Sequence, residues 1–406
     1  PKYKPSGVEW IGEIPEHWEV KRLKYEISYQ KGKNPKELTF DEKGKPYLTM
    51  EYLRNNPKHI YYVEYFENYV IVAENEILLL WDGSNAGEFI RSKEGILSST
   101  MALLKIYNQD NNYAWYFFKV SENHLRESTI GMGVPHVNGE EFKNQYFILP
   151  PKAEQTAIAK YLDDKTAKID SLIEKKKKLI ELYKEERTAV INHYVLGQHL
   201  IDNGQTSIDN GQLTMDNSQL SIYNYQLPKG WQVKKLKYVA KVQSSNVDKK
   251  TIEGEISVLL CNYVDVYKNE FIDDSFNFME ATATEKEIEK FILNEADVLI
   301  TKDSETPDDI ANPAYVKQNF ENVICGYHLA QIKTHRSTLI GEFLFRLFQS
   351  KKFNSHFQVS ANGVTRFGLP LDSITDVKVA FPSIAEQLQI VQHIEAETKR
   401  IDSKIA

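Results

Sequence analysis

Asn312-Pro313-Ala314-Tyr315 is the nearest approach to a reactive constellation in this chain of 406 residues. An Asn followed by two prolines and an aromatic residue can hold an exocyclic amine for methyl transfer while the ring stacks on the extruded base. Here Ala314 stands where the second proline belongs. No glycine-rich strand-to-helix turn for a methyl donor precedes it, and the first half of the chain has no counterpart. The 10 histidines are scattered, and His17, His136, His328 and His335 have no carboxylate, serine or cysteine partner at a telling spacing. A lone histidine of that kind reads as a surface or satisfied core residue. Asp308-Asp309 follow Pro307 and read as a solvated loop. Phosphate-loop, zinc-protease, nucleophile-elbow and paired-cysteine motifs are all missing from the sequence.

A second chemistry is better represented. Side chains that touch phosphates and read base edges recur in loops at matching places in the two halves of the chain. Lys and Arg suit phosphate and guanine, Asn and Gln suit adenine, and Ser and Thr suit either. In the first half the loops are 30–34 (Lys31, Lys33, Asn34), 82–87 (Ser84, Asn85) and 131–138 (Met132, His136, Asn138). In the second half they are 243–250 (Ser244, Asn246, Lys249), 302–306 (Lys302, Asp303, Ser304, Thr306) and 361–366 (Asn362, Thr365, Arg366). Similar surroundings with different loop residues fit two readers of two different short sequences.

The surroundings are similar because the chain is duplicated. Trp18, Val20, Lys21, Leu23, Lys24 and Tyr25 recur as Trp231, Val233, Lys234, Leu236, Lys237 and Tyr238. Pro150 with Ala153-Glu154-Gln155 recurs as Pro382 with Ala385-Glu386-Gln387. In each copy, apolar runs predict strands around the second loop: 71–81 and 101–107, then 296–301 and 324–333. A helix is predicted at 111–127, with its counterpart at 341–357. After each globular unit the period changes. Ile158, Leu162, Ile169, Ile173, Ile180, Tyr183 and Val190 fall on one helical face, as do Ile390, Ile394 and Ile401. The first run predicts one amphipathic helix roughly 65–70 Å long, which needs a partner helix to cover its seam. Prolines at 150 and 151 open it, Gly197 closes it, and Ser383 with Glu386 forms a capping-box pattern at the start of the second. The expected fold class is α+β, with two similar globular domains joined by long helices that pair as an antiparallel coiled coil with pseudo-twofold symmetry. The expected boundaries are 1–150, 151–197 (helix), 198–226 (connector), 227–381 and 382–406 (helix).

The stretch 201–228, nearly all of it in the connector, is four sevens, IDNGQTS, IDNGQLT, MDNSQLS and IYNYQLP. Their apolar positions are the first and sixth. Residues two apart on a helix lie about 200° apart, so these cannot form a seam. The stretch reads as a low-complexity spacer. The chain begins at Pro1 rather than Met, as a trimmed start would, and its second helix stops at Ala406, as a truncated one would. Two cysteines, Cys261 and Cys325, give neither a disulfide framework nor zinc spacing, which fits a reducing cytoplasm. No apolar run is long enough to span a membrane. The net charge of −7 weighs against nucleic acid as a partner, whereas the locally basic starts of the two copies weigh for it.

The paired starts (15–23 and 227–236), the paired ends (149–155 and 381–387) and the order domain–helix–domain–helix resemble the specificity subunit of type I restriction–modification systems. The resemblance covers essentially the whole chain. It implies that each globular domain is a target recognition domain reading one half of a bipartite double-stranded DNA site, with the paired helices as a ruler for the unread spacer. It further implies docking of two modification subunits, with restriction–translocase subunits joining for cleavage. S-adenosylmethionine, ATP and Mg would then sit on those partners, no cofactor or catalytic group on this chain, and the complex would work at the nucleoid in a prokaryotic cytoplasm. Two other readings remain at this stage: a self-contained adenine methyltransferase built on Asn312–Tyr315, and a coiled-coil scaffold with no role on DNA.

Overall fold

The computed structural model describes residues 2–55, 57–131, 133–202 and 227–406; Met132 and residues 203–226, which hold all but the ends of the four sevens, lie outside them. The chain divides into two compact units, Pro1–Glu174 and Lys175–Ala406. The division falls inside the long helix, so each globular domain carries part of it.

In the first unit, an antiparallel sheet runs Ile27–Lys31, Met101–Ile106, Ile77–Leu80, Phe89–Arg91 in spatial order. A second, mixed sheet holds Tyr62–Val63, Lys45–Leu48, Gly95–Leu97 and Ile71–Val72. The predicted strand over 71–81 is therefore two strands in two sheets. The chain turns between them at Asn75, whose φ is +65°. The helix Asn111–Glu127 forms as expected. Asp110 caps it by accepting from the N–H groups of Asn112 and Tyr113 at 2.9 and 3.0 Å. Ala114, Phe118, Ser121 and Leu125 repeat at helical spacing and are buried. Phe118 stacks on Phe89 and packs with Phe142 and Phe147 in the core.

In the second unit, five strands run Ala240–Ser244, Leu329–Thr334, Val298–Thr301, Pro313–Val316, Phe271–Ile272. Three more run Met279–Ala283, Ile256–Cys261, Val323–Cys325. The helix expected over 341–357 is broken into Gly341–Phe348 and Lys351–Ser360, with Ser350 in extended conformation between them. The first piece is buried on every side, whereas the second buries only Phe353 and Phe357. A change of direction lets both rings enter the core; each fully buried aromatic or aliphatic side chain contributes about 1.5–3 kcal/mol.

The duplicated landmarks are neighbours in space. Glu19–Arg22 pairs antiparallel with Tyr146–Leu149, and Gln232–Lys235 pairs the same way with Lys378–Phe381. Each copy's start is thus clasped to the strand that leads into its helix. Trp18 donates its indole N–H to Glu154 at 2.9 Å, and Trp231 donates to Glu386 at 3.0 Å. Glu386 therefore closes no capping box. Ser383 accepts from the Glu386 N–H, but the carboxylate is turned to the indole.

The long helix runs unbroken over Lys152–Val195, 44 residues or about 66 Å. The second long helix runs Ile384–Ile405. Within the second unit the two pack antiparallel. Tyr194 meets His393 with ring centroids 4.2 Å apart, Arg187 bonds Asp402 at 3.0 Å, and Lys404 lies over the ring of Tyr183 at 5.1 Å. The seam residues divide by role. Ile158 packs on the first domain's core, and Ile390 and Ile394 are buried in the second's. Ile401 is buried, Ile180, Tyr183 and Val190 are half-buried, and Leu162 lines an apolar groove with Trp10 and Phe117. Ile169 and Ile173, by contrast, are 56% and 45% exposed.

Candidate nucleic-acid interface

In each domain the three polar loops meet at one end of the main sheet, beside three strands that pair antiparallel. Strand register makes the two places comparable. Ala102 lies opposite Lys31 and Leu79 in the first domain, and Ala330 lies opposite Ser244 and Ile300 in the second. By the same register Asp82 corresponds to Asp303, Trp81 to Lys302, and Thr100 to His328. The backbone agrees. Trp81 N–H donates to Thr100 O at 2.8 Å, and Lys302 N–H donates to His328 O at 2.9 Å.

In the first domain Asp82 is the meeting point. Lys31 reaches it with Nζ at 3.3 Å while lying 5.1 Å from the Trp81 ring. His136 bridges to Asp82 and pairs with Ile130 through N–H···O bonds of 2.8 and 3.0 Å, so these two residues close the ends of a small hairpin. Gly131 belongs to its turn at φ +117°, where a Cβ would lie 2.6 Å from the Val134 carbonyl oxygen. Lys33 and Ser84 are exposed and Asn85 is half-buried. Asn34 accepts from Ser99 Oγ at 2.6 Å and from Tyr47 OH at 3.2 Å, leaving its amide donors outward. Asn138 is held back by a structural duty. Its oxygen accepts from the N–H groups of Glu140 and Glu141, capping the helix Gly139–Asn144.

In the second domain the corresponding hairpin is part of a three-stranded sheet of Asp303–Ser304, Phe367–Gly368 and Asn362–Gly363. This sheet joins the loops 302–306 and 361–366. Gly363 is needed at its turn, because a Cβ there would lie 1.9 Å from the Arg366 carbonyl oxygen. Asp303 accepts from His328 Nδ1 at 2.6 Å, and Lys302 lies 5.1 Å from the Tyr327 ring. The loop 243–250 joins them through Tyr327 N–H, which donates to Val247 O at 2.8 Å. Lys249, Thr306, Asn362, Thr365 and Arg366 are exposed; Asn246 is exposed too and donates to Glu287 at 3.3 Å. Ser244 is half-buried, and Ser304, at 7% exposure, is too enclosed to meet a ligand directly.

Three expectations change. His328 is not a lone histidine, because folding brings Asp303 to it from 25 residues away. His17 likewise bonds Glu154 at 2.8 Å. Asn312–Tyr315 cannot serve as an amine-holding site. Residues 313–316 form an interior strand, Tyr315 is 6% exposed with its hydroxyl on Glu342 at 2.5 Å, and Asn312 donates to Asp309. A ring in that position has no free face for a base. Sequence reasoning missed Trp81, Thr100, Tyr327 and His328. The available signal was the Asp that follows each apolar run, two residues after Leu78-Leu79-Leu80 and three after Val298-Leu299-Ile300.

Among the described residues no helix is long and apolar enough to cross a membrane. At 29% identity over 395 residues, 96% of this chain and 88% of the relative, the sequence is similar to the type I restriction enzyme MjaVIII specificity subunit of Methanocaldococcus jannaschii. The MjaIX specificity subunit of the same organism is 24% identical over 73% of this chain and 68% of the relative. The fold is similar to a chain in a structure described as showing complex assembly and conformational transition of the type I R-M system. That match has a TM-score of 0.63 and 12% identity and covers 97% of this chain and 93% of that one. It is also similar to the HsdS subunit from Thermoanaerobacter tengcongensis, with a TM-score of 0.50, 11% identity, and coverage of 96% and 91%. The pattern of the type I restriction modification DNA specificity domain matches twice, at 15–182 and 228–405, and the chain therefore belongs to that family.

Proposed function

We propose that this chain is the sequence-reading subunit of a type I restriction–modification complex. Each domain reads one half of a bipartite DNA site, through the loops gathered at Asp82 and at Asp303. The long helices set the unread gap and dock two modification subunits, which a restriction–translocase subunit joins. In this reading the chain supplies no catalytic group and binds no cofactor. S-adenosylmethionine, ATP and Mg belong to its partners, and the assembly acts on the chromosome in the cytoplasm.

The observation that carries the reading is the repeated geometry with unlike side chains. One backbone frame presents Lys31, Trp81 and His136 in the first domain, and Ser244, Lys302 and Gly368 at the same register in the second. A frame kept twice with its contact residues changed suits two different half-sites. The exposed apolar stretch of the long helix, with Ile169, Leu172, Ile173 and Leu179, supports a docking role for that segment.

The test is genome-wide mapping of N6-methyladenine in cells that express the chain with its modification subunits, with and without the chain. A bipartite motif with a fixed gap, lost when the chain is removed, is the expected result. No motif, with competent modification subunits present, would overturn the proposal.

A further inference from the structure

We propose that Arg366 reads a guanine in the second domain's half-site, and that Asp303 and His328 are positioning residues that aim its guanidinium. The proposal rests on the DNA-reading function above. It begins from the acid position shared by the two domains. In the first, Asp82 is met directly by Lys31. In the second, the register equivalent of Lys31 is Ser244, which carries no charge. Lys302 Nζ lies 3.9 Å from Asp303, and a second cation approaches from the hairpin through His328. Arg366 Nη2 lies 3.3 Å from both ring nitrogens of His328, whose Nδ1 is 2.6 Å from Asp303.

The order of the relay follows from its chemistry. An aspartate accepts, so Nδ1 carries the proton toward Asp303; Arg366 Nη2, equally far from both ring nitrogens, lies over the face of the imidazole that this bond holds in place. The arrangement restrains the arginine and uses little of its donor set. A guanidinium has five N–H donors in a rigid fork, matched to the O6 and N7 acceptors of guanine in the major groove.

Two further observations separate this from an ordinary structural ion pair. Arg366 is exposed, on a hairpin whose neighbouring Val364 is 92% exposed. An exposed contact of this kind contributes little to stability. His328 also holds a backbone φ of +70°, a conformation that non-glycine residues rarely adopt. The strained residue is the one that joins the acid to the arginine, and such strain gathers at functional sites. Lys302, 3.9 Å from Asp303, adds positive charge beside the relay for a phosphate.

The experiment is methyladenine mapping on cells carrying the complete complex with wild-type chain, R366A, R366K, H328A or D303N. Base discrimination is then measured by competition between duplexes on the purified complexes. With R366A, one G·C position in one half-site should become degenerate while the other half-site and the gap stay fixed. Discrimination at that position should fall roughly ten- to a hundredfold. H328A and D303N should relax the same position by less, and R366K should retain part of the preference. If R366A removes methylation altogether from an assembled complex, R366K should restore it with that position relaxed; restoration with an unchanged motif would overturn the inference. An unchanged R366A motif would also overturn it and leave the function above intact. A wild-type complex without any bipartite motif would instead remove the function on which the inference rests.

Discussion

Gln387 has no exposed surface, and its side-chain amide makes three bonds. It accepts from Ile340 N–H at 3.0 Å and donates to Thr338 O and Pro382 O at 2.9 Å each. Gln155 does the same work in the first copy. It accepts from Asp110 N–H and donates to Pro150 O and the Gln109 side chain. The Ala-Glu-Gln runs are legible in the sequence only as a repeat. In the fold each Glu takes an indole and each Gln ties the start of a long helix to the start of another helix. Gln387→Ala would strand an N–H and two carbonyls away from water. It should cost about 1–3 kcal/mol, read as a lower urea midpoint, while the exposed Gln389→Ala should not. Equal midpoints would contradict the assigned role. His328 shows the opposite limit of sequence reading. Its partner lies 25 residues away on another strand, and no local spacing announces it.

At the scale of elements, the first domain's start is seated on its long helix by Trp18 and His17, which both bond Glu154. The Trp18 N–H first, and then His17, hold the Glu154 carboxyl below the ordinary carboxylate range. A carboxyl whose value is lowered by folding stabilises the fold fully above its unfolded value. That contribution is lost as pH falls through the lowered one. Acidification from about pH 6 to about pH 3 should therefore loosen this contact and change Trp18 fluorescence in a step that Glu154→Gln lacks. Identical acid titrations in the two proteins would show that the contact does not contribute. The helix itself was plain from its period, as were its proline start and its end near Gly197. The break at Ser350 was not, because Gly341–Phe348 is buried on all sides and hides the period on which such readings depend; the split of 71–81 lies at the exposed Ala73-Glu74-Asn75, a polar turn inside an otherwise apolar run.

For the whole molecule, a net charge of −7 opposes association with a polyanion, and the cations at the two sites are few. The isolated chain should bind duplex DNA weakly and lose affinity steeply as salt rises, with most phosphate contacts coming from partners. Tight binding of the chain alone at physiological salt would contradict this; the check is a salt titration of binding to a duplex carrying the mapped motif. The sequence by itself determined the duplication, the α+β domains, the long helices and the family, because each leaves a repeated or periodic trace along the chain. It also named the loops that converge, since polar residues between apolar runs are visible without a structure. Tertiary structure alone decided which loop residues are spent on the fold, as Asn138 is in a helix cap and Ser304 by burial. It alone closed Asn312–Tyr315 to a ligand and brought Asp303, His328 and Arg366 together. These are contacts between residues far apart in the chain, set by strand register and by which face of each strand meets the core, and neither quantity is written in the spacing of residues along one segment.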